Sequence, residues 1–284
     1  IDGPRELHDR YRFTKGRTPT FDKVMAAARR LADAELPFAA LCVVHRETTR
    51  APLEVYRFLA DEVGTWRIQF TPCVETRSFA ERAPGRTPPS SMPLVGTPRA
   101  RPGHPLSVVT DWSVDPVDYG DFLCAAWDLW LANDLGRVHV NVFENAIAQA
   151  LGLPAQMCVT APICGKALAL EHDGSLYACD HYVYPEYRLG DIATTHAGDL
   201  AFSPPQVDFG LAKRDRLPAY CRACEYLSLC WGECPKNRLV RAPDGEPGLN
   251  YLCQGLQMFY ARVRRDLPAI RRRLDLTRPA PEPA

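Results

Sequence analysis

Apolar residues recur at helical spacing from Phe21 to Ala34, at Phe21, Val24, Met25, Ala28 and Leu31, the period that turns one helix face toward a core. After Glu35-Leu36-Pro37 comes an unbroken apolar run, Phe38 to Val44, with the length of a buried strand. Pro52 suits the first turn of a second helix, with Leu53, Val55, Phe58 and Leu59 apolar and Gly64 at its end, before a strand over residues 66–70. A third helix is expected from Pro116 to Asn133, with Phe122, Leu123, Trp127, Trp130 and Leu131 inward, then a strand from Val138 to Val142 and a short helix to Leu151. Residues 71–105 break the alternation. They are rich in proline, arginine and glycine and too long for an ordinary connection, and they read as a functional loop or lid.

Three successive helix-strand units imply an α/β fold with a parallel sheet, but three strands are few for a closed structure. The expected architecture for residues 1–151 is the C-terminal half of a (β/α) barrel, and the opening residues Ile1-Asp2-Gly3-Pro4 read as the middle of a longer protein. Barrel chemistry sits at the C-terminal ends of the strands, so Gln69 is a candidate mouth residue, although a polar residue at a strand end is also ordinary. Residues 152–265 differ, with short elements, many turn residues and an apolar content too small to fold them unaided. Bound metal is expected to stabilise this second domain. Residues 266–284 form a tail, disordered by expectation after Asp275.

The 34 basic and 34 acidic residues cancel, which removes any reason to expect nucleic acid as a partner. Only five basic residues are lysine, read here as a compositional bias. No apolar stretch of about 18 residues exists, so no membrane span is expected.

The eleven cysteines change the picture most. Cys42, Cys73 and Cys124 lie on apolar stretches and are expected to be buried hydrophobes. The other eight form Cys158-x5-Cys164-x14-Cys179, then Cys221-x2-Cys224-x5-Cys230-x3-Cys234, then Cys253. Eight thiolates suffice for two four-cysteine sites. A pure disulfide framework fits poorly with an odd count and a large α/β unit. Zinc modules usually carry two Cys-x2-Cys pairs or Cys/His mixtures, whereas iron-sulfur clusters tolerate irregular spacing; spacing alone leaves both open.

The run Cys164, Gly174, Cys179-Asp180-His181, Leu189-Gly190, Cys221-x2-Cys224-x5-Cys230-x3-Cys234-Pro235 and Leu249-Asn250-Tyr251-Leu252-Cys253 resembles the SPASM domain of radical S-adenosylmethionine enzymes. With Ile68-Gln69-Phe70 and Trp112-Ser113-Val114 it resembles, more narrowly, the anaerobic sulfatase-maturating enzymes. The family's Cys-x3-Cys-x2-Cys motif, which binds the cluster that cleaves S-adenosylmethionine, does not occur here. The resemblance therefore implies an N-terminally truncated fragment, inactive alone.

The resemblance also implies that Cys158, Cys164, Cys179 and Cys234 hold one auxiliary [4Fe-4S] cluster and Cys221, Cys224, Cys230 and Cys253 a second, with S-adenosylmethionine and a third cluster in the full-length enzyme. It makes Asp180 the general base of a reaction that oxidises a sulfatase cysteine or serine to Cα-formylglycine; read from spacing alone, Asp180 is a turn residue. His181 is either a partner that orients Asp180 or a structural histidine, and Tyr182, Tyr184 and Tyr187 are expected to pack the small domain. A sulfatase polypeptide would be the substrate, with flavodoxin or ferredoxin as electron donor, in a reducing cytoplasm. Another SPASM peptide-modifying enzyme, such as one forming thioethers, and a zinc-stabilised binding module are the alternatives.

Overall fold

In the computed structural model, residues 1–274 are described; the expectation for the segment after Asp275 lies outside them. Helix α1 (Phe21–Asp33) leads to strand β1 (Ala39–Val44), α2 (Pro52–Arg57) to β2 (Arg67–Pro72), and α3 (Pro116–Asn133) to β3 (His139–Val140), which α4 (Asn141–Ala150) follows directly. The strands form one parallel sheet in the order β1-β2-β3, with Cys42 opposite Phe70 and Ile68 opposite Val140. This is the expected partial barrel.

Several elements differ in detail. α2 ends at Arg57 and continues as a wider π-turn over Phe58–Glu62. β3 is only two residues long, because Asn141 and Val142, expected in the strand, begin α4 instead. The β1 run was expected to be buried, yet only its alternate residues are. Cys42 and Val44 are sealed against the helices, whereas Leu41 is 61% exposed and Val43 half-buried on the opposite face. The irregular stretch continues past residue 105 to Asp115, whose carboxylate caps α3 by accepting from the Val117 and Asp118 N–H groups and is gripped by both arms of Arg101.

The second region is built from two small antiparallel sheets, β4 (Ala169–Leu170), β5 (Ser175–Tyr177) and β6 (Arg188–Asp191), then β7 (Val240–Arg241) and β8 (Pro247–Leu249). Helix α5 (Pro204–Asp215) lies between them in the chain, and the long helix α6 (Cys253–Arg273) closes it. α6 runs unbroken through position 265 and returns to the barrel half. There Trp127, Trp130, Phe143 and Phe259 stack edge-to-face or tilted at 5.3–5.7 Å between ring centroids, and Trp127 Nε1 donates to Asp266 at 2.9 Å. One apolar core therefore includes both regions.

Where α3 and α6 cross, backbone touches backbone. A Cβ on Gly255 would lie 2.0 Å from the Pro116 carbonyl oxygen and 2.8 Å from the Gly120 nitrogen. Neither neighbour is a side chain that can rotate away. Gly255→Ala should therefore destabilise the protein: helix propensity favours alanine by about 1 kcal/mol, but forcing the helices apart costs about 1–3 kcal/mol. A lower thermal midpoint is expected; a raised midpoint would show that the crossing has room.

Candidate functional site

Helix α5 organises the cysteine-bearing loops through one face. Gln206, Gly210 and Lys213, spaced four and three residues apart, are all buried. Gln206 Nε2 donates to the carbonyls of Gly165 at 2.8 Å and Ala178 at 3.0 Å, the neighbours of Cys164 and Cys179. Gly210 lets the Cys164 loop touch the helix: a Cβ there would stand 2.7 Å from the Cys164 carbonyl oxygen, and the Cys164 N–H donates to the Gly210 carbonyl at 3.1 Å. Lys213 Nζ donates to the carbonyls of Cys158 and Val159, both at 2.7 Å. Three thiol-bearing loops thus hang on about two turns of one helix.

The fourth thiol arrives by a sharp reversal. Trp231, Gly232 and Glu233 follow Cys230 with φ of 48°, 71° and 50°, three successive residues in the left-handed region that side chains disfavour. Cys230 and Cys234 consequently leave the turn toward different cavities. Asn250 and Asn237 hold the turn by donating to the buried Glu233 carboxylate at 2.8 and 3.1 Å.

Cys158, Cys164, Cys179 and Cys234 all line a cavity of about 650 Å³ at the C-terminal ends of β1 and β2, together with Gln69 and Asp180. Cys221, Cys224, Cys230 and Cys253 line a separate, smaller cavity walled by Tyr220, Leu227, Leu256 and Tyr260. All eleven cysteines are free thiols. Burial pushes the Cys221 thiol up to about 11 and Cys230 to about 12; burial and then the Asp180 carboxylate push Cys179 to about 12. Cys234, Cys253 and Cys164 are raised by burial too. These groups remain neutral thiols near pH 7 unless a cation replaces their protons. Thiols are soft donors of the kind that suit iron or zinc; among the described residues, the donors that gather as a group of three or more, with ligand atoms all within 4.8 Å of one another, are Cys179, Asp180 and His181.

Asp180 is exposed. Its Oδ1 accepts from Cys179 Sγ and from the His181 main-chain N–H, both at 3.0 Å. Burial opposes its charge, but these bonds and the nearby His181 hold its carboxyl below the usual range. The His181 ring turns instead to Cys234 Sγ, 3.6 Å from Nδ1. Gln69 accepts from Asn141 Nδ2 at 2.8 Å, so α4 positions it at the cavity.

Cys73 departs from expectation. Cys42 and Cys124 are buried, but Cys73 is half-buried and lines the large cavity, since it stands just past the end of β2, where the strand opens into the mouth. The irregular loop folds back over the cysteine-rich region: Tyr184 and Tyr187 hydroxyls donate to the Phe79 and Pro84 carbonyls at 2.6 and 2.8 Å, and Glu75 pairs with Lys236. Tyr182 is buried, and the half-buried Tyr187 packs edge-on against it and against Phe209, at 4.7 and 5.8 Å between ring centroids. Sequence reasoning missed these clamps and the α5 face. A run of Gln206, Gly210 and Lys213 at helical spacing was the available signal, since a buried polar stripe must have partners to grip.

A family model described as SPASM, iron-sulfur cluster-binding domain, matches residues 158–225. The serine-type anaerobic sulfatase-maturating enzyme of Bacteroides thetaiotaomicron is 37% identical over 263 residues, which are 93% of this chain and 60% of that protein. The cysteine-type enzyme of Clostridium novyi is 27% identical over 92% of this chain and 63% of its own length. The chain thus spans about 60% of the length of these relatives. A solved structure described as native anSMEcpe with bound AdoMet and Cp18Cys peptide matches with a TM-score of 0.76 at 26% identity, covering 96% of this chain and 68% of that one. The chain is a homologue, over nearly its whole length, of the anaerobic sulfatase-maturating enzymes, and it joins a partial radical S-adenosylmethionine barrel to a SPASM iron-sulfur domain.

Proposed function

We propose that this chain is the substrate-facing part of an enzyme that oxidises a cysteine or serine of a sulfatase to Cα-formylglycine. The observation that carries the reading is the shared cavity: Asp180, Gln69 and the thiols of Cys158, Cys164, Cys179 and Cys234 open onto one space at the C-terminal ends of the strands. That is where the chemistry of (β/α) barrels is placed. In this reading those four cysteines bind one auxiliary cluster and Cys221, Cys224, Cys230 and Cys253 bind a second. The names of the relatives, which include both serine-type and cysteine-type enzymes, favour the same substrate class.

When bound, S-adenosylmethionine and the clusters would supply radical initiation and electron transfer, with reducing electrons from a flavodoxin- or ferredoxin-type donor. This chain's residues do the rest. Asp180 takes the proton from the substrate thiol or hydroxyl, which eases removal of the second electron from the substrate. As a thiolate ligand Cys179 would have no proton to give, and Asp180 Oδ1 would keep the His181 N–H bond and one accepting position for substrate. Gln69, fixed by Asn141, offers the opposite wall a polar contact. The loop held by Tyr184 and Tyr187 forms part of the wall beside Asp180, where a peptide can lie.

The full-length protein, reconstituted without oxygen, should hold about eight iron atoms in its two SPASM sites, four per four-cysteine cluster, beyond those at its S-adenosylmethionine site. Stoichiometric zinc without iron uptake would contradict the cluster reading. Asp180→Asn should keep all its iron and still cleave S-adenosylmethionine while aldehyde formation on a sulfatase peptide drops about 10²- to 10⁴-fold, the usual worth of a positioned base. If Asp180 is only structural, iron, cleavage and aldehyde will fall together; near wild-type aldehyde yield would remove it from the catalytic list.

A further inference from the structure

Lys213 is 1% exposed, and the two groups it hydrogen-bonds are main-chain carbonyls, those of Cys158 and Val159. A buried ammonium without a counter-charge is costly. Burial works against its charge, and the ionisable groups near enough to favour that charge are Cys164, Glu233, Cys234 and Cys158, in that order, the thiols only once they are thiolates. Glu233, whose carboxylate accepts from Asn237 and Asn250, is one buried counter-charge. The other three groups are thiols of a single four-cysteine set. From outside this helix, Arg238 donates to the Lys213 carbonyl at 2.6 Å, and among the described residues its buried Nε has no hydrogen-bond partner. Its guanidinium stands at the turn between Cys230 and Cys234, one cysteine of each set, where a Cβ on Gly232 would lie 3.0 Å from an Arg238 Nη. The buried Lys213 therefore stands beside the first set and the half-buried Arg238 between the two.

A four-iron cluster with four thiolates is negative in both of its common redox states and gains one more negative charge on reduction. Net charge around a cluster is one of the levers that set its potential. A fixed cation in an enclosed setting stabilises the reduced form more than the oxidised form. Resting on the two-cluster reading above, we infer that Lys213 is the built-in counter-charge of the cluster bound by Cys158, Cys164, Cys179 and Cys234. It raises that cluster's reduction potential so that it takes up one electron more readily, and Arg238 does the same for both clusters. Lys213 is a positioning residue here: it touches no substrate and holds the Cys158 loop while it sets the field.

The test is a redox titration of the reconstituted full-length protein followed by electron paramagnetic resonance, with iron counted on each sample. Lys213→Met with full iron should show one cluster midpoint displaced downward, the reduced-to-oxidised ratio at fixed potential falling about tenfold, which is 59 mV for one electron, with the other midpoints unmoved. Lys213→Arg should restore the wild-type midpoint. Arg238→Gln should lower two midpoints. A full-iron Lys213→Met protein whose midpoints do not move, or move upward, overturns the inference while leaving the cluster reading intact. Absence of iron from the wild-type protein overturns both. Should Lys213→Met lose iron, Arg238→Gln decides: two lowered midpoints uphold the field effect, and fewer overturn it.

Discussion

Three thiol-bearing loops meet because a single helix face gives each of them something to hold: an amide for Gly165 and Ala178, a bare backbone for Cys164, an ammonium for Cys158 and Val159. Over residues 152–170, which carry Cys158 and Cys164, Thr160 alone is buried, so burial does little to position those loops. Directional contacts to main-chain carbonyls do that work instead, and each is made inside the protein, where an unmade hydrogen bond costs about 1–3 kcal/mol. Loss of Gly210 would push Cys164 away by steric contact alone. The remaining cysteine of the set depends on strained backbone at residues 231–233, which is tolerated because the Glu233 carboxylate is tied down by two amides.

The same arrangement explains how two structurally different regions make one cavity. The parallel strands bury one face against helices and turn Leu41, Val43 and Gln69 toward the other side, where the cysteine loops arrive. α6 begins with Cys253 of the smaller cavity and, less than two turns later, packs Phe259 against Trp127 and Phe143 of the barrel half. A displacement of that helix would thus be felt at both the second thiol set and the aromatic core. From the other direction, Tyr184, Tyr187 and Lys236 fasten the irregular loop of the barrel half to the cysteine-rich region beside Asp180.

Much of this was legible in the chain itself. Periodicity located α1 and α3 because their apolar stripes are long, and α3 begins at Pro116 and ends at Asn133 as expected. β3 was overestimated because Val138 to Val142 carries strand-like residues whose last two are recruited into α4 by tertiary context. Cysteine spacing showed that there are enough donors for two sites but could not divide them. Cys230 and Cys234 are separated by only three residues, and what sends them to different cavities is a run of positive φ angles that includes Trp231 and Glu233, residues with no sequence preference for that conformation. Lys213 was not singled out, since nothing in its immediate neighbours distinguishes a buried lysine from a solvated one.

The central claim is that the eight thiols divide into two iron-binding sets, the one containing Cys234 lying at the cavity that Asp180 and Gln69 share. Anomalous diffraction at the iron edge, from crystals of the full-length protein prepared without oxygen, tests it directly. The account predicts two separate iron peaks in the cysteine-rich region, one bordered by Cys158, Cys164, Cys179 and Cys234, the other by Cys221, Cys224, Cys230 and Cys253. Cys234 bound beside Cys230 at a single peak, or anomalous signal at the zinc edge alone, would contradict it.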